Sequence, residues 1–252
     1  MNLIILAAGK GTRLGKLTQN IPKVLVPLFQ DQTILDFHLV NANEVANITK
    51  ATVVSGFGDQ FIRNFIYQLS SPKKINVRYN PFYGFSGPLG SLWMVSEQFL
   101  LEDFIICNGD TFFEMEFFNR FSRLDSNGIF LGVDTSKKFE SDDMKFSSIA
   151  NKVLKVSKRM NPSNASGVST GMLMVKGEEF RQDFLKAIKS LVEDESNLIN
   201  NVPWHQVVNE LIKLGTPVIA IEMMGLKWYE VDTPEDLKAS KELIKRFSRK
   251  DL

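Results

Sequence analysis

The chain has 252 residues, of which 44% are hydrophobic and 23% are charged, and this ordinary globular composition excludes a wholly disordered, collagen-like or coiled-coil protein. Lys and Arg number 30 against 29 Asp and Glu, a formal charge of +1 that argues against a protein dedicated to binding nucleic acid. The one cysteine, Cys107, excludes an internal disulfide, and its isolation argues against a structural zinc site and fits a reducing compartment.

Short apolar runs alternate with helical patterns in the first half of the chain. The predicted strands are residues 2–7, 51–54, 75–79, 104–107 and 129–133. The predicted helices are residues 33–45, 59–68, 89–99 and 114–124. Strands that alternate with helices predict a parallel α/β sheet, and continuous apolar strands predict a sheet covered on both faces.

The pattern becomes less regular after residue 135. Residues 137–145 are polar and have no clear period, and strands are predicted at 149–156 and 170–175. Helices follow at 178–192 and 204–214, then a strand at 217–222 and a terminal helix at 234–247. Thr233, with Pro234 next and Asp236 three residues later, predicts the N-cap of that helix. No linker rich in Pro, Gly or Ser divides the halves, so we expect a single domain over 1–252.

The first apolar run, residues 3–8, is too short to cross a bilayer and has no basic segment before it. We therefore expect a cytoplasmic protein that neither enters a membrane nor binds nucleic acid. The oligomeric state is not readable from the sequence.

A glycine-rich loop follows the first predicted strand in the sequence LIILAAGKGTRLG, residues 3–15. Glycines let backbone N–H groups approach phosphate oxygens, and Lys10 and Arg13 can neutralise phosphate charge. The spacing fits neither the Walker P-loop nor the dinucleotide fingerprint, which would need glycine in place of Leu14. A tight turn without a ligand is the alternative explanation of this loop.

A second motif, NIPKVLVPL, occupies residues 20–28. Pro22 and Pro27 stiffen the segment around Lys23. A lysine on a stiff segment beside a phosphate-binding loop can act as a point-charge clamp, although most lysines are solvated surface residues.

Together, LAAGKGTRL and PKVLVPL resemble the paired motifs of the sugar-phosphate nucleotidyltransferases, and compact cytidylyltransferases are the most similar branch. Later landmarks follow in the family's order along nearly the whole chain. The resemblance implies a Rossmann-like α/β/α fold with a mostly parallel central sheet and a smaller mixed acceptor-binding subregion. It assigns about 1–135 to nucleotide binding, about 136–233 to acceptor binding and about 234–252 to the C-terminal helix. The nucleotide-binding residues that it implies are Leu6, Ala7, Ala8, Gly9, Lys10, Gly11, Thr12, Arg13, Lys23, Leu89, Gly90 and Ser91.

Two aspartates are candidate ligands for Mg²⁺. Asp110 follows a predicted buried strand, at the position where open α/β sheets bind ligands, although Asn-Gly-Asp is also a common turn sequence. Asp232 lies before Thr233 and Pro234, where a helix-cap neighbour is the ordinary role. The resemblance implies that Asp110 and Asp232 hold Mg²⁺, and that Arg13, Lys23 and Asp110 are catalytic.

Three residues are candidates for the acceptor side. Lys158 resembles the lysine of the family's Glu-Lys-Pro segment without its Glu and Pro neighbours, and Gly171 matches a landmark whose backbone meets the acceptor. Trp228 is one of several aromatic residues that could form a cage for a quaternary ammonium group, although aromatic residues are also common in cores. His38 and His205 have no partner at catalytic spacing and are expected to be structural.

The resemblance implies that a nucleoside monophosphate is joined to a phosphorylated acceptor with release of pyrophosphate. Ala7 and Ala8 before Gly9 resemble the pyrimidine-using branches of the family, and the compact chain resembles the cytidylyltransferase branch, so CTP is the expected nucleotide. The acceptor is expected to be phosphocholine, phosphoglutamine or a sugar 1-phosphate, for bacterial capsule or cell-surface modification. The alternatives are a thymidylyl-, uridylyl- or guanylyltransferase acting on a sugar 1-phosphate, and a catalytically silent nucleotide-binding regulatory protein. A glycosyltransferase is disfavoured because Asn108-Gly109-Asp110 is not an Asp-x-Asp motif.

Overall fold

The structure, a computed structural model, describes residues 1–248. The strands are β1 (Asn2–Ala7), β2 (Pro27–Phe29), β3 (Gln32–Thr33), β4 (Lys50–Ser55), β5 (Lys74–Tyr79), β6 (Phe104–Asn108), β7 (Thr111–Phe113), β8 (Gly128–Asp134), β9 (Lys145–Ile149), β10 (Lys152–Ser157), β11 (Gly167–Lys176), β12 (Val218–Glu222) and β13 (Trp228–Glu230). The helices are α1 (Ile34–Glu44), α2 (Asp59–Gln68), α3 (Gly87–Trp93), α4 (Met115–Ser122), α5 (Glu178–Val192), α6 (Glu195–Ile199), α7 (Gln206–Lys213) and α8 (Pro234–Ser248). The expected C-terminal helix at 234–252 therefore includes residues 249–252, which lie outside the described part.

Nine strands form one sheet in the order β5-β4-β1-β6-β11-β8-β12-β10-β9. Strands β5, β4, β1 and β6 pair in parallel, as do β8 and β12. Strand β11 is antiparallel to β6, β8 and β9, and β10 is antiparallel to β12 and β9. Within this sheet only β10 and β11 run against the other strands, so the predicted α/β class with a mostly parallel sheet and a mixed second part is confirmed. The division of function along the chain stays a prediction.

Both faces of the sheet are buried under helices. In β1, Leu3 and Ile5 belong to one core cluster, whereas Ile4 belongs to the other. Helices α1, α2 and α4 complete the first cluster, and α3, α5 and α7 complete the second. Each fully buried Leu or Ile contributes about 1.5–3 kcal/mol, so continuous apolar strands are what a sheet covered on both sides requires. Within residues 1–248 there is no helix with the length and apolarity needed to span a membrane.

Two predicted elements were wrong in detail. The strand expected at 149–156 is a hairpin, because Ala150 and Asn151 have φ values of 47° and 63° and reverse the chain between β9 and β10. Hairpin turns of this kind usually contain Asn-Gly, and Ala150-Asn151 lacks that signal, so the sequence did not indicate a turn here. The helix expected at 89–99 ends as α3 at Trp93 and continues as a 3-10 turn at Ser96–Gln98.

The predicted cap of the last helix is confirmed. The backbone N–H of Asp236 donates to Thr233 Oγ1 at 3.2 Å, and Asp236 Oδ2 accepts from the Thr233 N–H at 2.8 Å. The same Asp236 oxygen accepts from the N–H of Asp232 at 3.1 Å. The cap therefore fixes the backbone of Asp232 as well as the start of α8.

A topological switch point lies between β1 and β6. From β1 the sheet extends through β4 to β5 on one side and to β6 on the other, and such a crevice is where open α/β sheets bind ligands. The N–H of Gly109, just after β6, donates to the carbonyl of Leu6 at 2.9 Å. The loops that follow β1 and β6 therefore lie side by side at the carboxyl edge of the sheet.

Replacement of Gly109 by alanine is predicted to destabilise the fold at this edge of the sheet. An added Cβ would lie 2.5 Å from the Leu6 carbonyl oxygen, which belongs to the backbone of the central strand and cannot yield. We expect Gly109→Ala to lower the free energy of unfolding by about 1–3 kcal/mol, measured from urea midpoints. Gly9→Ala is the matched control, since nothing lies within 4 Å of its added Cβ; equal losses in the two variants would contradict the steric explanation.

Candidate active site

A cleft at the carboxyl edge of the sheet is lined by eight of the seventeen predicted site residues. It encloses about 260 Å³, and a neighbouring recess of about 450 Å³ lies behind Trp228. The predicted residues that line the cleft are Leu6, Ala8, Gly9, Ser91, Asp110, Lys158, Gly171 and Trp228. Arg13 and Asp232 line the neighbouring recess, which shares Trp228 with the cleft.

The glycine-rich loop is shaped so that it packs against Lys23. Gly11 has φ +62°, and a Cβ there would lie 2.9 Å from the Lys23 Cβ. The loop is held by Thr18, whose hydroxyl donates to the Gly11 carbonyl at 2.7 Å. Ala7 is buried at the end of β1, and Thr12 is exposed. The loop is thus a fixed element of the cleft wall.

Lys23 lies between two carboxylates. It begins a 3-10 turn, Lys23–Leu25, and is only 6% exposed. Its Nζ lies 2.9 Å from Asp110 Oδ2 and 2.5 Å from Asp232 Oδ1. Burial alone would lower the pKa of Lys23, but Asp110 and Asp232 outweigh it and raise that pKa. Burial would likewise raise the pKa of Asp110, and the Lys23 charge lowers it instead.

A small two-stranded sheet brings the two aspartates together. Strand β13 pairs antiparallel with β7, with Glu230 opposite Thr111. The N–H of Val231 donates to the carbonyl of Asp110 at 2.9 Å. Residues 110 and 232 therefore face each other even though more than a hundred residues separate them in the sequence.

Glu230 is a third carboxylate that the sequence did not single out. Carboxylate oxygens of Asp110, Glu230 and Asp232 all lie within 4.8 Å of one another. Desolvation and then the negative charges of Asp110 and Asp232 raise the pKa of Glu230 to about 8, although its side chain stays open to the cleft. A two-residue spacing puts side chains on one face of an extended segment, and this spacing from Asp232 is the signal that could have identified Glu230.

Asp142 joins two of the predicted cations. Arg13 Nη1 lies 2.9 Å from Asp142 Oδ2, and Lys158 Nζ lies 2.8 Å from Asp142 Oδ1. The second guanidinium nitrogen of Arg13 lies 2.7 Å from Asp232 Oδ2. Burial would raise the pKa of Asp142, but Lys158 and Arg13 lower it. Asp142 lies in the segment without a sequence period, so no pattern marked it.

The loop that precedes α3 is organised by Asn80, which is fully buried. Its Nδ2 donates to the hydroxyls of Ser86 and Ser91, both at 3.1 Å, and its Oδ1 accepts from the N–H of Phe82 at 2.9 Å. In the same loop Tyr83 lines the cleft, with Lys10 Nζ 5.9 Å from its ring centroid. The loop therefore faces the glycine-rich loop across the cleft.

Leu89 and Gly90 lie behind the cleft rather than along it. The N–H of Leu89 donates to the carbonyl of Val202 at 3.1 Å, and the N–H of Gly90 donates to the carbonyl of Ser86 at 3.1 Å. Both residues are buried, whereas Ser91 lines the cleft. A role of Leu89 and Gly90 in nucleotide binding stays a prediction.

Two tryptophans that line the cleft each have one ring face in contact with another side chain. Lys137 Nζ lies 5.1 Å from the Trp228 ring centroid, and Trp228 Nε1 donates to Asp134 Oδ2 at 3.0 Å. Trp204 stacks on His205 with 3.8 Å between ring centroids. At most one face of each tryptophan is left for a ligand.

The two histidines have different surroundings. His38 is enclosed, its Nδ1 lies 3.8 Å from Cys107 Sγ, and burial lowers its pKa to about 4. This environment fits the structural role expected for it. His205, by contrast, lines the cleft, which its isolated place in the sequence did not indicate.

Comparisons with known proteins identify a matching family and two relatives. The Nucleotidyl transferase family model matches residues 2–138. The bifunctional protein GlmU of Methanococcus vannielii is 25% identical over 256 residues, covering 99% of this chain, which spans 56% of that relative's length. The CTP:phosphoglutamine cytidylyltransferase of Campylobacter jejuni is 38% identical over 66 residues, 26% of this chain and 25% of that protein.

A solved structure shows the same fold. The inositol-1-phosphate CTP transferase from T. maritima superposes with a TM-score of 0.79 at 20% identity, over 97% of this chain and 94% of that one. The family model covers more than half of the sequence, including the glycine-rich loop, Lys23 and Asp110. The chain therefore belongs to the nucleotidyl transferase family, as its two opening motifs predict.

Proposed function

We propose that this chain is a Mg²⁺-dependent cytidylyltransferase, which joins CMP from CTP to a small phosphorylated acceptor and releases pyrophosphate. The observation that carries the proposal is the convergence of Lys23, Asp110 and Asp232 beside the glycine-rich loop. CTP is supported by the resemblance of the loop, and by two similar proteins whose names specify CTP.

The proposed reaction needs no side-chain base. A phosphate oxygen of the acceptor attacks the α-phosphorus of CTP, the bond to the bridging oxygen breaks, and pyrophosphate leaves with that electron pair. Because the attacking oxygen is already anionic, the protein has to position the two substrates and neutralise charge. We assign this role to Arg13 and Lys23 for the triphosphate, and to Lys158 for the acceptor phosphate.

The carboxylate group of Asp110, Glu230 and Asp232 fits a hard divalent cation. Mg²⁺ prefers oxygen ligands and commonly takes one or two protein carboxylates, with phosphate oxygens and water completing its octahedron. When bound, Mg²⁺ would supply charge neutralisation of the triphosphate at this position. Asp110 and Asp232 are the proposed ligands, and Glu230 offers a third oxygen donor within 4.8 Å.

The size of the cleft suits small-molecule substrates rather than a macromolecule. Its volume of about 260 Å³ lies just under the usual range of ligand pockets, about 300–1,000 Å³. Phosphocholine, phosphoglutamine and a sugar 1-phosphate are the proposed candidates. We propose that the enzyme acts in the cytoplasm and that its product is used to modify a bacterial capsule or cell surface.

A screen of pyrophosphate release tests the function directly. We expect release in the presence of Mg²⁺ with CTP and one of phosphocholine, phosphoglutamine or a sugar 1-phosphate, with little release from the other three nucleoside triphosphates. Release with another nucleotide and a sugar 1-phosphate would instead identify a thymidylyl-, uridylyl- or guanylyltransferase. Nucleotide binding by calorimetry without any release would favour the silent regulatory protein.

Asp110→Asn is predicted to abolish most of the activity while leaving the fold intact. The amide keeps the shape but removes the charge that we propose holds Mg²⁺, so kcat should fall by about 10²–10⁴-fold, the size of effect expected when a charge-stabilising group is lost. Asp31→Asn is the matched control, because Asp31 is exposed in a turn away from the cleft. An unchanged rate for Asp110→Asn at saturating Mg²⁺ would rule out this role.

Lys23→Met is predicted to make the protein more dependent on Mg²⁺ for stability. Without the ammonium, Asp110 loses its ion-pair partner while the like charge of Asp232 stays close to it, and we expect a loss of about 1–3 kcal/mol at pH 7. Because Lys23 lowers the pKa of Asp110, the stabilisation exists above the unfolded pKa of this carboxyl. It is lost as the pH falls through the folded value, so the gap between the variant and the unmodified protein should shrink in acid.

Added Mg²⁺ should raise the Tm of Lys23→Met more than that of the unmodified protein, since ammonium no longer occupies the carboxylates. Lys50→Met is the control, because Lys50 pairs with Glu102 at 2.5 Å outside the cleft. Equal Mg²⁺ responses in the two lysine variants would contradict the proposed cation site.

A further inference from the structure

Ser169 and His205 form a buried pair on the acceptor side of the cleft. Ser169 Oγ lies 2.9 Å from His205 Nε2, and each residue is only 6% exposed. Both line the cleft together with Lys158 and Gly171. The backbone N–H of Gly171 donates to Ser169 Oγ at 3.2 Å.

A count of hydrogens shows that this pair keeps one donor free. Desolvation and then the Lys158 charge lower the pKa of His205 to about 3, so the ring is neutral and carries one N–H. If Ser169 donates to Nε2, the hydrogen of His205 is on Nδ1. If Nε2 donates to Ser169, the hydroxyl hydrogen of Ser169 has no acceptor in the protein. One polar hydrogen of the pair is therefore unused in either tautomer.

His205 Nδ1 is accessible rather than enclosed. Within residues 1–248, the enclosed side-chain nitrogens and oxygens that lack a partner are His38 Nε2 and Arg181 Nε. His205 Nδ1 makes no hydrogen bond to the protein and is not among them. The open space beside the pair is the cleft that His205 and Ser169 line.

The position of the pair is fixed by its neighbours. Trp204 stacks on the His205 ring, and Trp204 Nε1 donates to Asn108 Oδ1 at 2.8 Å. Gly171 has φ +82°, and a Cβ there would lie 2.5 Å from Asn108 Nδ2. Asn108, the last residue of β6, therefore supports both the histidine and the bulge of β11. A pre-positioned donor loses little entropy when it binds a ligand.

We propose that the Ser169–His205 pair donates one uncharged hydrogen bond to a phosphate oxygen of the acceptor, beside Lys158. This inference rests on the proposed function and adds a specificity-determining pair to it. The neutral donor complements the charge of Lys158, because it orients one phosphate oxygen without adding a second cation to the cleft.

The test uses Ser169→Ala, His205→Phe and the double variant, with the acceptor that the unmodified enzyme turns over. His205→Phe keeps a ring for stacking on Trp204 but removes both nitrogens. We expect the KM for the acceptor to rise about 10- to 100-fold in each single variant. Loss of one hydrogen bond to a charged group weakens binding by about this factor. The Kd for CTP should stay within about twofold. The acceptor KM of the double variant should be close to that of the single variant with the higher KM, because the two residues supply one donor.

Ser240→Ala is the matched control. Ser240 is a fully buried serine whose hydroxyl donates to the carbonyl of Leu237 in α8, and its loss should leave the acceptor KM unchanged. An acceptor KM unchanged in both Ser169→Ala and His205→Phe would overturn the proposal. So would an equal weakening of CTP binding, since that would indicate a general structural role.

A second readout does not depend on turnover. The chain has two histidines, so a long-range ¹H–¹⁵N spectrum contains two imidazole rings, and His205→Phe assigns them. Saturating acceptor should shift the His205 ring nitrogens and not those of His38. If the enzyme turns over no substrate, the same titration with phosphocholine, phosphoglutamine and glucose 1-phosphate separates the two ideas. A shift would then support the phosphate site although the proposed function had failed, and no shift would overturn the site.

Discussion

The rest of the site depends on the ammonium of Lys23, which lies between the carboxylates of Asp110 and Asp232. Burying a lysine is costly, and here two anions offset the cost. That balance requires three distant segments to meet at one point. The Pro22–Val26 turn presents the lysine, the end of β6 presents Asp110, and the cap of α8 holds Asp232. The carboxyl edge of the parallel strands supplies the place where they meet.

The same arrangement bears on how a protein with almost no net charge would accept the highly charged substrates that we propose. Lys23 pairs with Asp110 and Asp232, whereas Arg13 and Lys158 share Asp142. Arg13, Lys23 and Lys158 are therefore each already neutralised by a carboxylate of the protein. In the proposed reaction, substrate phosphates would replace the carboxylates as partners of these cations. Mg²⁺ would replace the ammonium of Lys23 as the partner of the carboxylates. Such an exchange avoids leaving unpaired charges in a partly buried cleft, where they are most unfavourable.

Sequence reasoning identified the parts of the site that lie in continuous motifs. The glycine-rich loop, Lys23 and Asp110 each follow a predicted strand or lie between prolines, so local pattern is enough to place them at one edge of the sheet. Asp142 reaches the site from a segment without periodicity. His205 reaches it from the residue that precedes α7. Their positions follow from pairings between β9, β10 and β11, and the turn at Ala150 and Asn151 that sets those pairings has no strong sequence signal. Glu230 differs, because its two-residue spacing from Asp232 was readable.

The two halves of the sheet differ in regularity, and this difference bears on how the proposed acceptor site is built. The parallel strands keep a strict register, which the glycine-rich loop and Asp110 require. In β11, residues 170–172 stand opposite the single residue Gly132 of β8. A bulge of this kind redirects side chains and backbone groups at the edge of a site. It points Gly171 toward Asn108 and gives Ser169 the geometry to contact His205. An irregular strand next to a regular one thus lets the proposed nucleotide site adjoin a separately shaped surface, where we propose that the acceptor binds.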